Sequence, residues 1–253
     1  MVKIYKSFGI QPENILALTF TNKAANEIKE RITNLIGEIY TKRLNMGTFH
    51  SIFCKILRKN IIYLEGKKYQ SDFKIIIEPE SKDIIKTIIE EYYDRDFENY
   101  LEKKGINDEV KRKNELKSLV RKIKEKISLL KNREIIFERY FDLQDEIDKD
   151  KYNNMPYLKN VYRTYVRTCE DKNLMDFDDL LLNTMKLFND KNNINILEKY
   201  QNDFKYILID EYQDTNIVQF EIIKALAWKN KIFLLYEMII KIYIHLEEQI
   251  EKT

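Results

Sequence analysis

The sequence predicts an α/β protein, a parallel sheet flanked by helices and interrupted by a mainly helical insertion. Strand-like and helix-like apolar patterns alternate as far as Ile77, give way to nearly continuous helical spacing until about Cys169, and then alternate again. The runs Ile15 to Leu18 and Tyr206 to Ile209 are unbroken and apolar, as expected of strands covered on both faces in parallel sheets. The expected partition is 1–77 and 170–236 for the two parts of the α/β domain, 78–169 for the insertion, and 237–253 for a tail outside both.

In order along the chain, the strand at Ile15 to Leu18 leads through the turn Thr19 to Lys23 into a helix. Its face is Ile28, Ile32, Leu35 and Ile36, and Gly37 ends it as a C′ residue. In this turn Phe20 reads most plainly as core and Thr21 or Asn22 as a helix N-cap. The segment Gly47 to Ser51, GTFHS, places His50 beside Phe49, a pairing that is more often packing than chemistry. The insertion opens at Pro79 with Ser81 as its N-cap, followed by Ile84, Ile85, Ile88, Ile89 and Tyr92 on one helical face. Leu116, Leu119, Val120, Ile123, Ile127 and Leu130 then continue at helical spacing. Lys111, Arg121, Lys122, Lys124 and Lys131, among other basic residues, surround that stripe and read as a charged, solvated face. In Met175 to Leu182, MDFDDLLL, Asp176 and Asp179 stand at the spacing of a capping box.

The chemistry is concentrated in Tyr206 to Asn216, YILIDEYQDTN. A buried strand delivers Asp210 and Glu211 to its carboxyl end, where open parallel sheets bind ligands, and a third acid follows at Asp214. Adjacent carboxylates suit nucleotide hydrolysis, one serving Mg²⁺ and the other polarising water. The plainer alternative is that these acids solvate a turn and cap the next helix.

The string DEYQDTN resembles the second ATPase motif of the UvrD/Rep/PcrA-type superfamily 1 DNA helicases. Ile15 to Arg31, GTFHS and MDFDDLLL are similar to three further blocks of that family, in the right order. The resemblance implies a RecA-like (P-loop NTPase) sheet, incomplete here, with the insertion as the 1B subdomain, where a basic helix meets duplex phosphate. It implies ATP and Mg²⁺ as cofactors, with Asp210 serving the metal, Glu211 as general base and Gln213 sensing the γ-phosphate. Phe20, Thr21, Asn22, Lys23, Thr48, Phe49 and His50 would line a single-stranded DNA track. The implied partners are single-stranded and duplex DNA. The family's glycine-rich phosphate loop, GxxxxGK[ST], occurs nowhere in the 253 residues, so catalysis is expected to be impaired unless neighbouring reading frames encode the missing helicase parts. The alternative is a non-catalytic relic or a weak single-strand-binding module.

The tail departs from the family pattern. With mostly A/T-ending codons from Glu237 onward, triplets that take the last base of one codon and the first two of the next spell DDYQNIYSFRGAN, which is similar to the family's third motif. The expectation is therefore an out-of-frame tail. A terminal amphipathic helix with Ile239, Ile242 and Leu246 on one face is the alternative.

Composition narrows the remaining choices. The 253 residues are 44% hydrophobic, enough to fill a core. A net charge of +2 makes any nucleic-acid affinity a matter of local patches. Cys54 and Cys169 show neither metal-ligand spacing nor a disulfide framework, which fits a reducing compartment. The amino terminus lacks an apolar signal core, and the run Ile232 to Ile240 is too short to span a bilayer, so a cytoplasmic protein without membrane partners is expected.

Overall fold

Hydrogen bonding turns the first apolar run into strand β1 (Ile15–Thr19), all five residues of which are buried. It is followed by α1 (Asn22–Ile36), α2 (Glu38–Arg43), β2 (Asn45–Thr48) and α3 (Phe49–Asn60). Then come β3 (Lys74–Ile75), α4 (Glu78–Tyr92), α5 (Asp94–Lys103), α6 (Glu109–Asn132), α7 (Leu158–Asp171) and β4 (Leu174–Met175). Helix α8 (Phe177–Asn189), α9 (Ile194–Asp203), β5 (Tyr206–Ile209), α10 (Ile217–Ala227) and β6 (Phe233–Leu235) complete the order. The computed structural model describes residues 11–64, 66, 69–133 and 157–228 and the backbone of 233–235. The expectations for the amino terminus, Ile232 and the tail 237–253 lie outside these residues.

The chain divides into two compact units, one holding the chain up to Tyr63 and from Asn183 onward, the other Leu64–Leu182. In the first, four strands form a sheet in the order β2-β1-β5-β6, and every pairing is parallel. Burial of β1 matches its apolar run. In β5 only Ile207 and Ile209 are buried while Tyr206 and Leu208 are half-buried, so one face of this strand is less fully covered than expected. Helix α1 starts where Thr21 Oγ1 accepts the Ala24 amide at 3.1 Å and stops at Gly37, whose φ of 88° suits glycine. Its buried stripe is narrower than the spacing predicts. Ile32 is buried, Ile28 and Ile36 are half-buried, and Leu35 is 60% exposed.

The second unit buries one apolar cluster drawn from α4 to α7, including Ile85, Ile89, Phe97, Ile123, Ile127 and Tyr165. The stripe from Leu116 to Leu130 is its spine, as its spacing predicts. Three features differ from expectation. Helix α4 begins at Glu78, ahead of Ser81, because the Glu80 carboxylate accepts the Ile77 amide at 2.9 Å. Ser81 lies one turn inside, its hydroxyl donating to the Ile77 carbonyl at 3.3 Å. The unit also extends beyond 78–169 at both ends, because β3 and β4 pair in parallel and the Ile76 amide donates to Met175 O at 2.9 Å. Lys124 and Lys131 do not belong to a solvated face: they are 7% and 1% exposed, because each ammonium group lies between aspartates. Among the described residues, no helix is long and apolar enough to cross a membrane.

Candidate functional site

Parallel strands finish at the same edge of a sheet, and the register here brings the predicted motifs together. Leu18 pairs with Ile209 and Thr19 with Thr48, so the loops after β1, β2 and β5 leave side by side. From β1 the chain crosses to β2 on one side, whereas from β5 it crosses to β6 on the other. That reversal between β1 and β5 opens the crevice in which open α/β sheets take ligands. Phe20 to Lys23 follow β1 and Asp210 to Asn216 follow β5, its neighbour in the sheet.

The acid loop is built by local hydrogen bonds. The Asp210 amide donates to Leu18 O at 3.0 Å, holding the loop to β1 one residue past the strand. Glu211 then turns into the left-handed region at φ 54°, ψ 49°, and Tyr212–Asp214 form a single 3₁₀ turn closed by the Asp214 amide on Glu211 O. The Gln213 side-chain amide donates to the Glu211 carboxylate. The acids do not cap the next helix. Asn216 does so by accepting the Gln219 amide at 2.8 Å, while Gln219 Oε1 accepts the Asn216 amide at 3.1 Å. The carboxylates are thereby left to solvent and ligand. Burial, then the charges of Glu211 and Glu27, raise the Asp210 carboxyl above its ordinary range.

A half-buried carboxylate raised by burial and by like charge, beside a second carboxylate, is a setting that a hard divalent cation relieves, so Asp210 and Glu211 fit Mg²⁺. Among the described residues no group of three potential ligands exists. The glycine-rich loop that would hold nucleotide phosphates is not in the sequence.

Left-handed backbone costs a non-glycine residue roughly 1–2 kcal/mol, and such strain collects at functional positions. Glu211→Gly should therefore raise the denaturation midpoint, with a gain of roughly 0.5–1 kcal/mol. A loss of stability on that substitution would mean that the Glu211 side chain contributes more to the fold than its backbone costs.

The other predicted residues divide. Asn22 and Lys23 are exposed at the start of α1, and Phe20 is half-buried, so this turn presents an aromatic, an amide and a cation at the sheet edge. Thr21 is exposed but its hydroxyl is engaged as the α1 cap. Thr48 is the N-cap of α3, accepting the Ser51 amide at 3.2 Å, and His50 is half-buried. Phe49 is corrected: at 1% exposure it belongs to the core, its ring 5.2 Å from Phe20 and 6.1 Å from Phe53, because the first turn of α3 folds it inward. It backs the Phe20 ring and does not face the surface. A Cβ at position 47 would come within 2.5 Å of Ser51 Oγ, so a larger residue there would have to displace the hydroxyl that donates to Thr48 O.

A cleft of about 560 Å³ between α9 and α10, walled by Ile194, Leu197, Lys224 and Trp228, contains none of these residues. The sequence reading also passed over Lys124, Lys131 and Tyr165, which converge on Asp176. Their only sequence signal is a basic residue at each end of a seven-residue step along an apolar stripe.

The family model described as "UvrD/REP helicase N-terminal domain" matches residues 1–236. The chain is 35% identical over 224 residues to "ATP-dependent DNA helicase PcrA" of Staphylococcus aureus (strain COL), covering 88% of the chain and 26% of that protein. It is also 35% identical over 222 residues to the protein of the same name from Staphylococcus epidermidis, with 88% and 26% covered. It therefore spans about a quarter of the length of the curated relatives it matches.

Proposed function

Because the chain belongs to the UvrD/REP helicase N-terminal domain family, we propose that it is part of the motor of an ATP-dependent DNA helicase, contributing metal-binding, water-activating and strand-contacting groups. The observation that carries this reading is the convergence of three loops on one carboxyl edge of a parallel sheet, with Asp210 and Glu211 on the loop after the strand next to the one that leads into Phe20 to Lys23. The four-stranded parallel order supports a RecA-like arrangement with helices on both faces.

Asp210 would hold Mg²⁺ and its waters. Glu211, presented by its left-handed backbone, would accept a proton from water, and Gln213 restrains that carboxylate in the meantime. When bound, Mg²⁺-ATP supplies the free energy for movement on DNA. On the strand side, Phe20 offers a face for a base, braced from behind by Phe49, while Asn22 and Lys23 can reach phosphate. The proposed setting is the cytoplasm, and the proposed partners are single-stranded and duplex DNA. With no phosphate loop in its 253 residues, this stretch alone is expected to bind single strands weakly and to turn over ATP poorly. Unwinding would need the parts of the motor that lie outside these 253 residues.

The test measures two quantities on the purified chain: binding to a fluorescent oligothymidylate, and Mg²⁺-ATP hydrolysis with and without that strand. Expected are salt-sensitive binding weakened by Phe20→Ala and by Lys23→Ala, and no turnover. DNA-stimulated turnover abolished by Glu211→Gln would overturn the impairment. Folded protein that binds no strand would overturn the DNA-track assignment.

A further inference from the structure

The helical unit encloses a charged cluster that neither the motor reading nor the capping box accounts for. Its members come from α6, α7 and the start of α8. Lys131 Nζ lies 2.9 Å from Asp176 and 2.8 Å from Asp179, and Lys124 Nζ lies 3.2 Å from Asp176 and 3.3 Å from Asp178. Each ammonium group is thus shared by two carboxylates. Asp176 is the hub. One of its oxygens accepts from both lysines and from the Tyr165 hydroxyl at 2.8 Å, and the other accepts the Asp179 amide at 2.9 Å. Asp178, at the rim, also accepts from Ser128 at 2.6 Å and from Asn132 at 3.0 Å.

Counting charge exposes an imbalance. Among the described residues three carboxylates face two ammonium groups: Lys124, Lys131, Asp176 and Asp179, all less than 10% exposed, share their cations with Asp178 at the rim, so full ionisation leaves one negative charge in excess. A buried, uncompensated charge is costly, and a buried carboxylate relieves that cost by taking up a proton. We propose that the cluster is a proton-dependent clasp: Asp179 is the group that takes up the proton, and the resulting neutral set holds the start of α8 on α6 and α7 more tightly than the fully ionised one.

Asp179 is selected by its neighbours. Facing it are Asp176 on its own turn, Lys131 on α6, Tyr165 and Cys169 on α7, and Tyr69 ahead of β3. The phenols are pushed above their ordinary values by burial, and the Cys169 thiol is pushed up to about 12, so none of the three carries charge near neutrality. Burial and the Asp176 charge raise the Asp179 carboxyl to about 6 against the pull of Lys131. Asp176 behaves oppositely. Burial opposes its charge, but Lys131 and Lys124 overcome that and hold it below the ordinary carboxylate range.

The sign follows from proton counting. Between the ordinary value of 3.8 and about 6, the folded chain holds a proton on Asp179 that the unfolded chain has released, so stability falls as pH rises through that window and is level above it. Asp176 loses its contribution only below 3.8, and the surface glutamates with lowered values lose theirs only below 4.5. The window from 4.5 to about 6 therefore reports on Asp179 together with Asp210, whose carboxyl is raised as well, and Asp179→Asn separates the two.

The experiment follows side-chain carboxyl carbons by NMR in the native 253-residue chain across this window, beside denaturant unfolding of wild type, Asp179→Asn and Lys131→Met. Expected is one aspartate resonance with a midpoint near 6 that vanishes in Asp179→Asn and moves upward in Lys131→Met. The wild-type unfolding constant should increase by up to about tenfold per pH unit within the window and rise less steeply in Asp179→Asn, where the raised Asp210 carboxyl remains. An Asp179 resonance titrating in the ordinary carboxylate range, or an undiminished slope in Asp179→Asn, would overturn the proposal. The wild-type titration decides the matter even where a variant fails to fold.

Discussion

Lys131→Ala should destabilise the helical unit by about 3–5 kcal/mol near neutral pH, the range found when one partner of a buried ion pair is removed. The substitution strips Asp176 and Asp179 of a shared cation and leaves Lys124 as the only ammonium group within 4 Å of Asp176 among the described residues. It also removes the amine from its place 5.1 Å over the Tyr165 ring and opens a void where the stem lay. Against a total stability of about 5–15 kcal/mol, such a loss threatens folding at ambient temperature. The deficit should shrink as pH falls toward about 6 and level off below it, because without Lys131 the Asp179 carboxyl takes up its proton at a higher pH than in the wild type. Denaturant melts at two pH values measure both effects, and a loss below about 1 kcal/mol at neutral pH would contradict the buried pairing.

Phe53→Ala should cost the α/β unit about 3–5 kcal/mol, the toll of removing an aromatic ring from a close-packed interior. Phe53 is fully buried on α3 and touches Phe49, which in turn backs Phe20, so the cavity opens directly beneath the proposed strand-binding turn. Single-strand affinity should therefore fall along with stability. Leu35→Ala serves as the contrast: the side chain is 60% exposed, and its loss should shift stability by no more than about 0.5 kcal/mol. Equal costs at the two positions would mean that α3 is not packed as described.

Much of the site was legible because its signals are local. The run Ile15 to Leu18 became the central buried strand, and Thr21 and Gly37 bound α1 as their chemistry predicts. Asp176 and Asp179 cap the start of α8 reciprocally, as their spacing predicts. Each of these rests on hydrogen bonds or side-chain periodicity within a few residues. The acid motif could be recognised for the same reason: a short apolar run ending in adjacent carboxylates is a pattern of contiguous residues.

Other features depended on partners far along the chain. Lys124 and Lys131 looked like their solvated neighbours until folding set them against aspartates 45 to 54 residues away. Phe49 looked available to DNA until α3 turned it onto Phe20 and Phe53. The pairing of β3 with β4 involves strands of two residues each, too short to leave a period in the sequence. By itself, the sequence determined the longer elements, the caps of α1 and α8 and the chemical identity of the acid loop, because backbone propensity and i to i+3 hydrogen bonds act over a few residues. Only the tertiary structure decided which charges are buried, which aromatic faces outward, and which loops share one sheet edge, because burial and strand order are set by contacts between segments that the chain itself keeps far apart.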